Sequence, residues 1–143
     1  MAFRGASTRL HQIPESVNVG LQFPGDDVTE NRRLHQRGEH GGQLAVAHNG
    51  GKLGGLPVET VIADDQQNPE VAKQSAERLL KRDKVDIMTG VIFSNVLYAI
   101  GPAVFANQTF YLSNNAGPND WAGEKCNPYF FGVAWQSEDV PGA

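Results

Sequence analysis

From Pro57 onward, segments rich in β-branched residues alternate with segments of helical period, and this alternation narrows the available folds more than any other feature of the chain. The run PVETVIA, residues 57–63, reads as a strand closed by Asp64-Asp65-Gln66-Gln67. A helix start follows: Asn68 is suited to cap, Pro69 to the first helical position and Glu70 to the positive end of the helix dipole. The spacing predicts a helix to about Arg82, because Ala72, Ala76, Leu79 and Leu80 fall on one face. Glu77 and Lys81 form an i, i+4 pair in the favourable orientation. Val85 to Thr89 is the next strand, stopped by Gly90. A second helix, capped by Ser94 or Asn95, is expected to run to about Asn107. Val96, Leu97, Ile100, Val104 and Phe105 make it apolar almost all round, the mark of a buried helix, and Gly101-Pro102 should kink or interrupt it. Thr109 to Ser113 is a third strand, Asn114 to Gly123 a loop, and Tyr129 to Ala134 a fourth strand.

Upstream the text is less regular. Val17 to Phe23 alternates apolar and polar and reads as a first strand, with Pro24 to Asp27 as a turn after it. Glu30 to His40 is polar without a core-facing period and reads as a solvated stretch. Gln43 to His48 is a short helical stretch stopped by Asn49-Gly50-Gly51, and Lys52 to Gly55 continues that turn. The resulting order of strands and helices, with short connections, argues an α/β chain: a parallel sheet with helices on both faces, a Rossmann-like three-layer arrangement. Residues 1–40 are set apart as a segment of weak pattern with a first strand, and residues 41–143 carry the recognisable architecture.

Charge and motif content exclude several functions. Twelve basic residues against sixteen acidic ones leave a net charge of −4, the wrong field for neutralising phosphates, so nucleic acid is not an expected partner. No apolar run reaches the ~18 residues that span a bilayer. Met1 to Gly20 has Arg4 and Arg9 but no apolar run after them, so it does not read as a signal peptide; as it stands, the chain points to the cytoplasm or to a leader outside it. The single cysteine, Cys126, cannot form an internal disulfide and reads as a small, partly buried residue. His35 and His40 lack a third ligand nearby, and Asp64-Asp65 reads as a solvated strand end, so no metal is expected. There is no GxxxxGK[ST] or GxGxxG phosphate loop and no nucleophile elbow; the GGKLGG run precedes a strand instead of following one. Neither catalysis nor a cofactor is expected.

What remains is a binding site. In an open parallel sheet, ligands sit outside the carboxyl ends of the strands. Ser94 would stand there at the N-terminus of a buried helix, where free backbone N–H groups, the dipole and a hydroxyl suit a carboxylate. The small residues of Asn114-Asn115-Ala116-Gly117-Pro118 would let a ligand approach backbone groups closely. Trp121, Tyr129 and Trp135 read as core aromatics.

At this point the residues resemble a known family. LAVAHNGGKLGGLPVE, DDQQNPEVAKQSAERLL, VDIMTGVIFSNVLYAIGP, SNNAGP and CNPYFFGVAWQSED, in that order, resemble the N-terminal lobe of type I periplasmic solute-binding proteins of branched-chain amino acid ABC transporters. The resemblance implies an incomplete lobe that binds a branched-chain amino acid or a similar small, even aromatic, carboxylate without catalysis. It implies that Ser94, flanked by Phe93 and Asn95, holds the carboxylate, and that Asn115, Ala116 and Gly117 add polar and backbone contacts. Gly117 stands where many relatives carry a hydroxyl, which leaves a backbone contact there. Before Arg37 the chain departs from the family apart from the first strand. An ABC transporter permease is the implied partner, the periplasm the implied location, and self-association through the unfinished lobe a further expectation. Two alternatives stand beside this one: a ligand-sensing regulator of the same fold, and a truncated product without function.

Overall fold

The computed structural model describes residues 16–23, 40–114 and 117–133. The strands are β1 (Val17–Phe23), β2 (Lys52–Leu53), β3 (Leu56–Asp64), β4 (Ile87–Thr89), β5 (Phe110–Ser113) and β6 (Phe130–Gly132). Helix α1 is described over residues 40–48, followed by α2 (Pro69–Lys81), α3 (Ser94–Ala106) and the short α4 (Asn119–Ala122). The sheet order is β2-β3-β1-β4-β5-β6. All neighbours pair in parallel except β2, which runs antiparallel to β3. The expected α/β architecture is therefore present.

Register explains how the two faces differ. Val61, Gly20, Met88, Tyr111 and Phe130 lie side by side across the five parallel strands. Their face packs on α2 and α3, with Ala72, Ala76, Leu79, Val96, Ile100 and Val104 fully buried. Gly20 is small for a reason: a Cβ there would lie 3.3 Å from side-chain atoms of Leu79, Met88 and Val85. Its neighbour Leu21 points to the other face, where its Cδ1 lies 3.6 Å from the place a Cβ on Gly42 of α1 would occupy. Helices thus cover both faces. Toward β6 the α1 side opens, and Phe110, Phe131 and Val133 are exposed.

Local chemistry sets the element ends. Asn68 Oδ1 accepts from the N–H groups of Glu70 at 2.9 Å and Val71 at 3.4 Å, a cap worth about 1 kcal/mol. Pro69 opens α2. Its buried residues are Ala72, Ala76, Leu79 and Leu80, the face the spacing predicts. The Lys81 ammonium donates to Glu77 at 2.8 Å. Helix α1 ends where Gly50 and Gly51 adopt φ of 66° and 74°, and the Gly51 N–H reaches back to the Val46 carbonyl at 2.8 Å.

Three expectations need correction. Lys52-Leu53 is a strand rather than more turn, because Gly54-Gly55, with φ of 59° and 88°, closes a two-residue hairpin onto β3. The loop after β5 contains α4. Helix α3 is not interrupted at Pro102: it runs from Ser94 to Ala106, with Ile100, Gly101 and Val104 buried and Trp121 packed against Gly101, so tertiary packing overrides the local breaker. The expected turn at 24–27, most of the polar stretch to His40, and Trp135 lie outside the described residues. No helix among the described residues is long and apolar enough to cross a membrane.

Candidate functional site

Strand β1 has β3 on one side and β4 on the other, so the sheet changes direction between β1 and β4. In open α/β sheets the crevice at such a switch point, outside the carboxyl ends of the strands, is where ligands bind. The chain leaves β4 at this end through Gly90, whose φ of 106° disfavours a residue with a Cβ. Val91 is buried, and its N–H donates to the Tyr111 hydroxyl at 3.3 Å. Helix α3 begins three residues later.

Ser94 is the first residue of α3 and Phe93 is its N-cap. The expected Ser94 or Asn95 cap is not formed: no side chain caps the first turn, and the Leu97 N–H bonds the Phe93 carbonyl at 3.0 Å. Side-chain caps normally satisfy the first N–H groups of a helix, and without one those groups and the dipole suit an anion. Ser94 is half-buried, Asn95 is exposed and Phe93 is 37 % exposed.

The direction of Ser94 follows from helical period. Ser94, Tyr98, Gly101 and Phe105 lie on one stripe of α3, at i, i+4, i+7 and i+11. The last three all meet Trp121 of α4: ring centroids are 5.2 Å apart for Tyr98 and 5.1 Å for Phe105, and Gly101 leaves room for the indole. Ser94 therefore stands one turn further along the stripe that faces the segment after β5. In that segment Gly117 and Pro118 are buried, as is Ser113 at the end of β5. Asn115 and Ala116 lie outside the described residues. Topology thus brings the Ser94 and Gly117 segments to one edge of the sheet.

Other groups at this edge were not anticipated. Asp65, read from sequence as solvated, is fully buried, and its Oδ1 accepts from the Gln67 N–H at 2.8 Å. Strand alternation is the cause: Ala63 and Asp65 point inward while Asp64 points outward. Tyr111 is fully buried too. Burial pushes its phenol well above the usual range, the Val91 N–H opposes this, and the Asp65 charge adds to the rise. Tyr98 Oη donates to Asp120 Oδ1 at 2.6 Å, and Lys125 Nζ donates to Asp120 Oδ2 at 2.9 Å. The Tyr98 bond first and Lys125 second hold the Asp120 carboxyl below its ordinary value. The i+4 spacing of Tyr98 from Ser94 was the available signal for this group. Cys126, expected to be partly buried, is exposed. A hollow of about 660 Å³ with Leu80, Lys84, Asp86 and Gln108 among its walls lies at the amino ends of β4 and β5, the opposite edge, and is no part of this site. Among the described residues, no three His, Cys, Asp or Glu side chains converge as metal ligands.

The family model described as periplasmic binding protein matches residues 33–142. No curated protein matches. A solved branched-chain amino acid ABC transporter periplasmic ligand-binding protein from Burkholderia xenovorans is 28 % identical, with a TM-score of 0.76 over 85 % of this chain and 32 % of that one. An ABC transporter solute-binding protein from R. palustris, solved in complex with benzoate, is 26 % identical, with a TM-score of 0.79 over 87 % of this chain and 34 % of that one. A periplasmic binding protein from Burkholderia mallei is 26 % identical, with a TM-score of 0.73 over 85 % of this chain and 32 % of that one. The chain spans about a third of the length of these relatives. With a strand order that switches at β1, a sheet of parallel strands and a family match over most of its length, this chain belongs to the periplasmic binding protein family.

Proposed function

We propose that this chain is part of the solute-binding component of an ABC transporter, and that it captures a small carboxylate, a branched-chain amino acid or an aromatic acid, without bond chemistry. The observation that carries the reading is the N-terminus of α3: it has no side-chain cap, lies at the switch point, and has Ser94 on the stripe that faces the segment after β5. Ser94 and the first N–H groups of α3 would hold the carboxylate, with Phe93 and Asn95 beside it and the Asn115 to Gly117 segment closing the other side. The ligands named for similar proteins, benzoate among them, are carboxylates and support this class. A permease partner, a periplasmic location and the division near residue 40 belong to the same reading. No observation favours a regulator.

Calorimetric titration with L-leucine and with benzoate tests the site. Ser94→Ala should weaken binding of whichever ligand the parent takes by about 1.5–3 kcal/mol, the worth of a hydrogen bond to a charged group. Equal affinity of parent and variant would remove Ser94 from the site.

The reading extends to self-association. Phe110 and Phe131 lie 6.0 Å apart between ring centroids on the sheet face opposite the core, both more than 40 % exposed, with Val133 beyond them at 64 %. Exposed apolar surface of this kind seeks cover. Light scattering should show a mass that rises with concentration, and Phe131→Lys should suppress the rise; a monomer at every concentration would refute the extension.

A further inference from the structure

Helices α3 and α4 are joined by an apolar contact and a polar one within a single turn of each other. The indole of Trp121 fills the notch at Gly101, where a Cβ would stand 2.1 Å from its Cη2. Beside it, Asp120 accepts Tyr98 Oη at 2.6 Å on one oxygen and Lys125 Nζ at 2.9 Å on the other. The Lys125 N–H also donates to the Asp120 carbonyl at 2.7 Å, and the Trp121 N–H to the Pro118 carbonyl at 3.2 Å. Gly117 and Pro118 are buried directly ahead of this turn. On α3, Tyr98 lies one turn after Ser94 on the same stripe.

We propose that Tyr98 and Asp120 are positioning residues: their hydrogen bond latches α4 to α3 and so fixes the Gly117-Pro118 segment against the helix terminus that carries Ser94. The proposal deepens the carboxylate-site reading and rests on it for its functional meaning. Neither residue touches the ligand. Their part is preorganisation, since a site whose two walls are already set loses less freedom when it binds. The aromatic contact alone fixes the separation of α3 and α4. The Tyr98–Asp120 bond adds direction, because a hydrogen bond weakens steeply once its geometry is lost. Lys125 holds the second oxygen, so the carboxylate cannot turn away without breaking an ion pair.

Two readouts on the whole chain test the latch. The first is amide hydrogen exchange without ligand at Gly117, Asn119 and Trp121. Tyr98→Phe keeps the ring against Trp121 but removes the hydroxyl, and Asp120→Ala removes the acceptor. Both should speed exchange at these amides and leave α2 unchanged. Asp120→Asn, which keeps one oxygen acceptor for Tyr98 but loses the one that Lys125 uses, should exchange more slowly at these amides than Asp120→Ala and no slower than the parent, a partial rescue that a purely electrostatic role would not give. The second readout is calorimetric affinity for L-leucine or benzoate, which should fall roughly fivefold in Tyr98→Phe, the scale of one ordinary hydrogen bond. Parent-like exchange in Tyr98→Phe would overturn the latch. If Ser94→Ala weakens binding and Tyr98→Phe does not, the latch fails and the carboxylate site stands. If the parent takes neither probe, the site reading fails, and exchange alone supports or overturns the latch.

Discussion

Trp121→Ala will lose about 3–5 kcal/mol of folding stability, the range for removing a large buried aromatic. Trp121 is 8 % exposed and makes edge contacts with Tyr98, Phe105 and Phe130 at 5.2, 5.1 and 5.3 Å. It is therefore the piece that joins α3, α4 and β6. The complementary change, Gly101→Ala, puts a methyl 2.1 Å from the indole, with the ring held by its neighbours. Overpacking of that kind costs about 1–3 kcal/mol. A helical alanine in place of glycine returns about 1 kcal/mol, which is too little to reverse the sign. The pair is coupled. In a Trp121→Ala background the notch is empty, so Gly101→Ala should become neutral or stabilising. Urea unfolding of the four proteins in the cycle measures this coupling directly. Additive effects would mean that the indole does not occupy the notch.

The same contact shows why parts of the fold were legible in the sequence and others were not. Helix α2 was readable to within a residue because its signals are local: Asn68 and Pro69 at the start, four apolar positions on one face, and a charge pair. The parallel sheet followed from the alternation of elements. Pro102 misled because its local effect, a missing N–H, opposes a tertiary one: Ile100, Gly101 and Val104 around it are buried, and Trp121 packs against Gly101. Strand β2 is two residues long and α4 is four, too short to show a period. The Ser94 region was placed by the rule for carboxyl ends of strands, but the capping role was not, since Phe93 occupies the cap position. Asp65 was misread because two adjacent carboxylates look alike in sequence, whereas alternation sends one to solvent and the other inward. The tie between Tyr98 and Asp120 spans 22 residues and carries no local signature.

Leu79→Ala should be the costliest aliphatic truncation in α2, at about 4 kcal/mol within the usual range of about 2–5. What sets the value is how far the surroundings can close over the gap. Leu79 is fully buried, and its Cδ1 lies 3.3 Å from where a Cβ on Gly20 would be. Glycine has no side chain to move into the space, and β1 is held between β3 and β4 by parallel ladders on both sides. The cavity therefore stays open. Leu80, the next residue, is also buried at 5 % exposure, yet it borders the open hollow at the amino ends of β4 and β5. Water can reach the space left by Leu80→Ala, and Lys81 and Lys84 on the same wall are long enough to lean over it. That truncation should cost about 1–2 kcal/mol less, nearer the lower end of the range. Urea midpoints for the two variants decide the matter, provided that the slopes stay equal. Equal losses would show that the α2–β1 seam repacks freely. The larger loss at Leu79 would show that Gly20, the smallest residue in the central strand, fixes how closely α2 can approach the sheet.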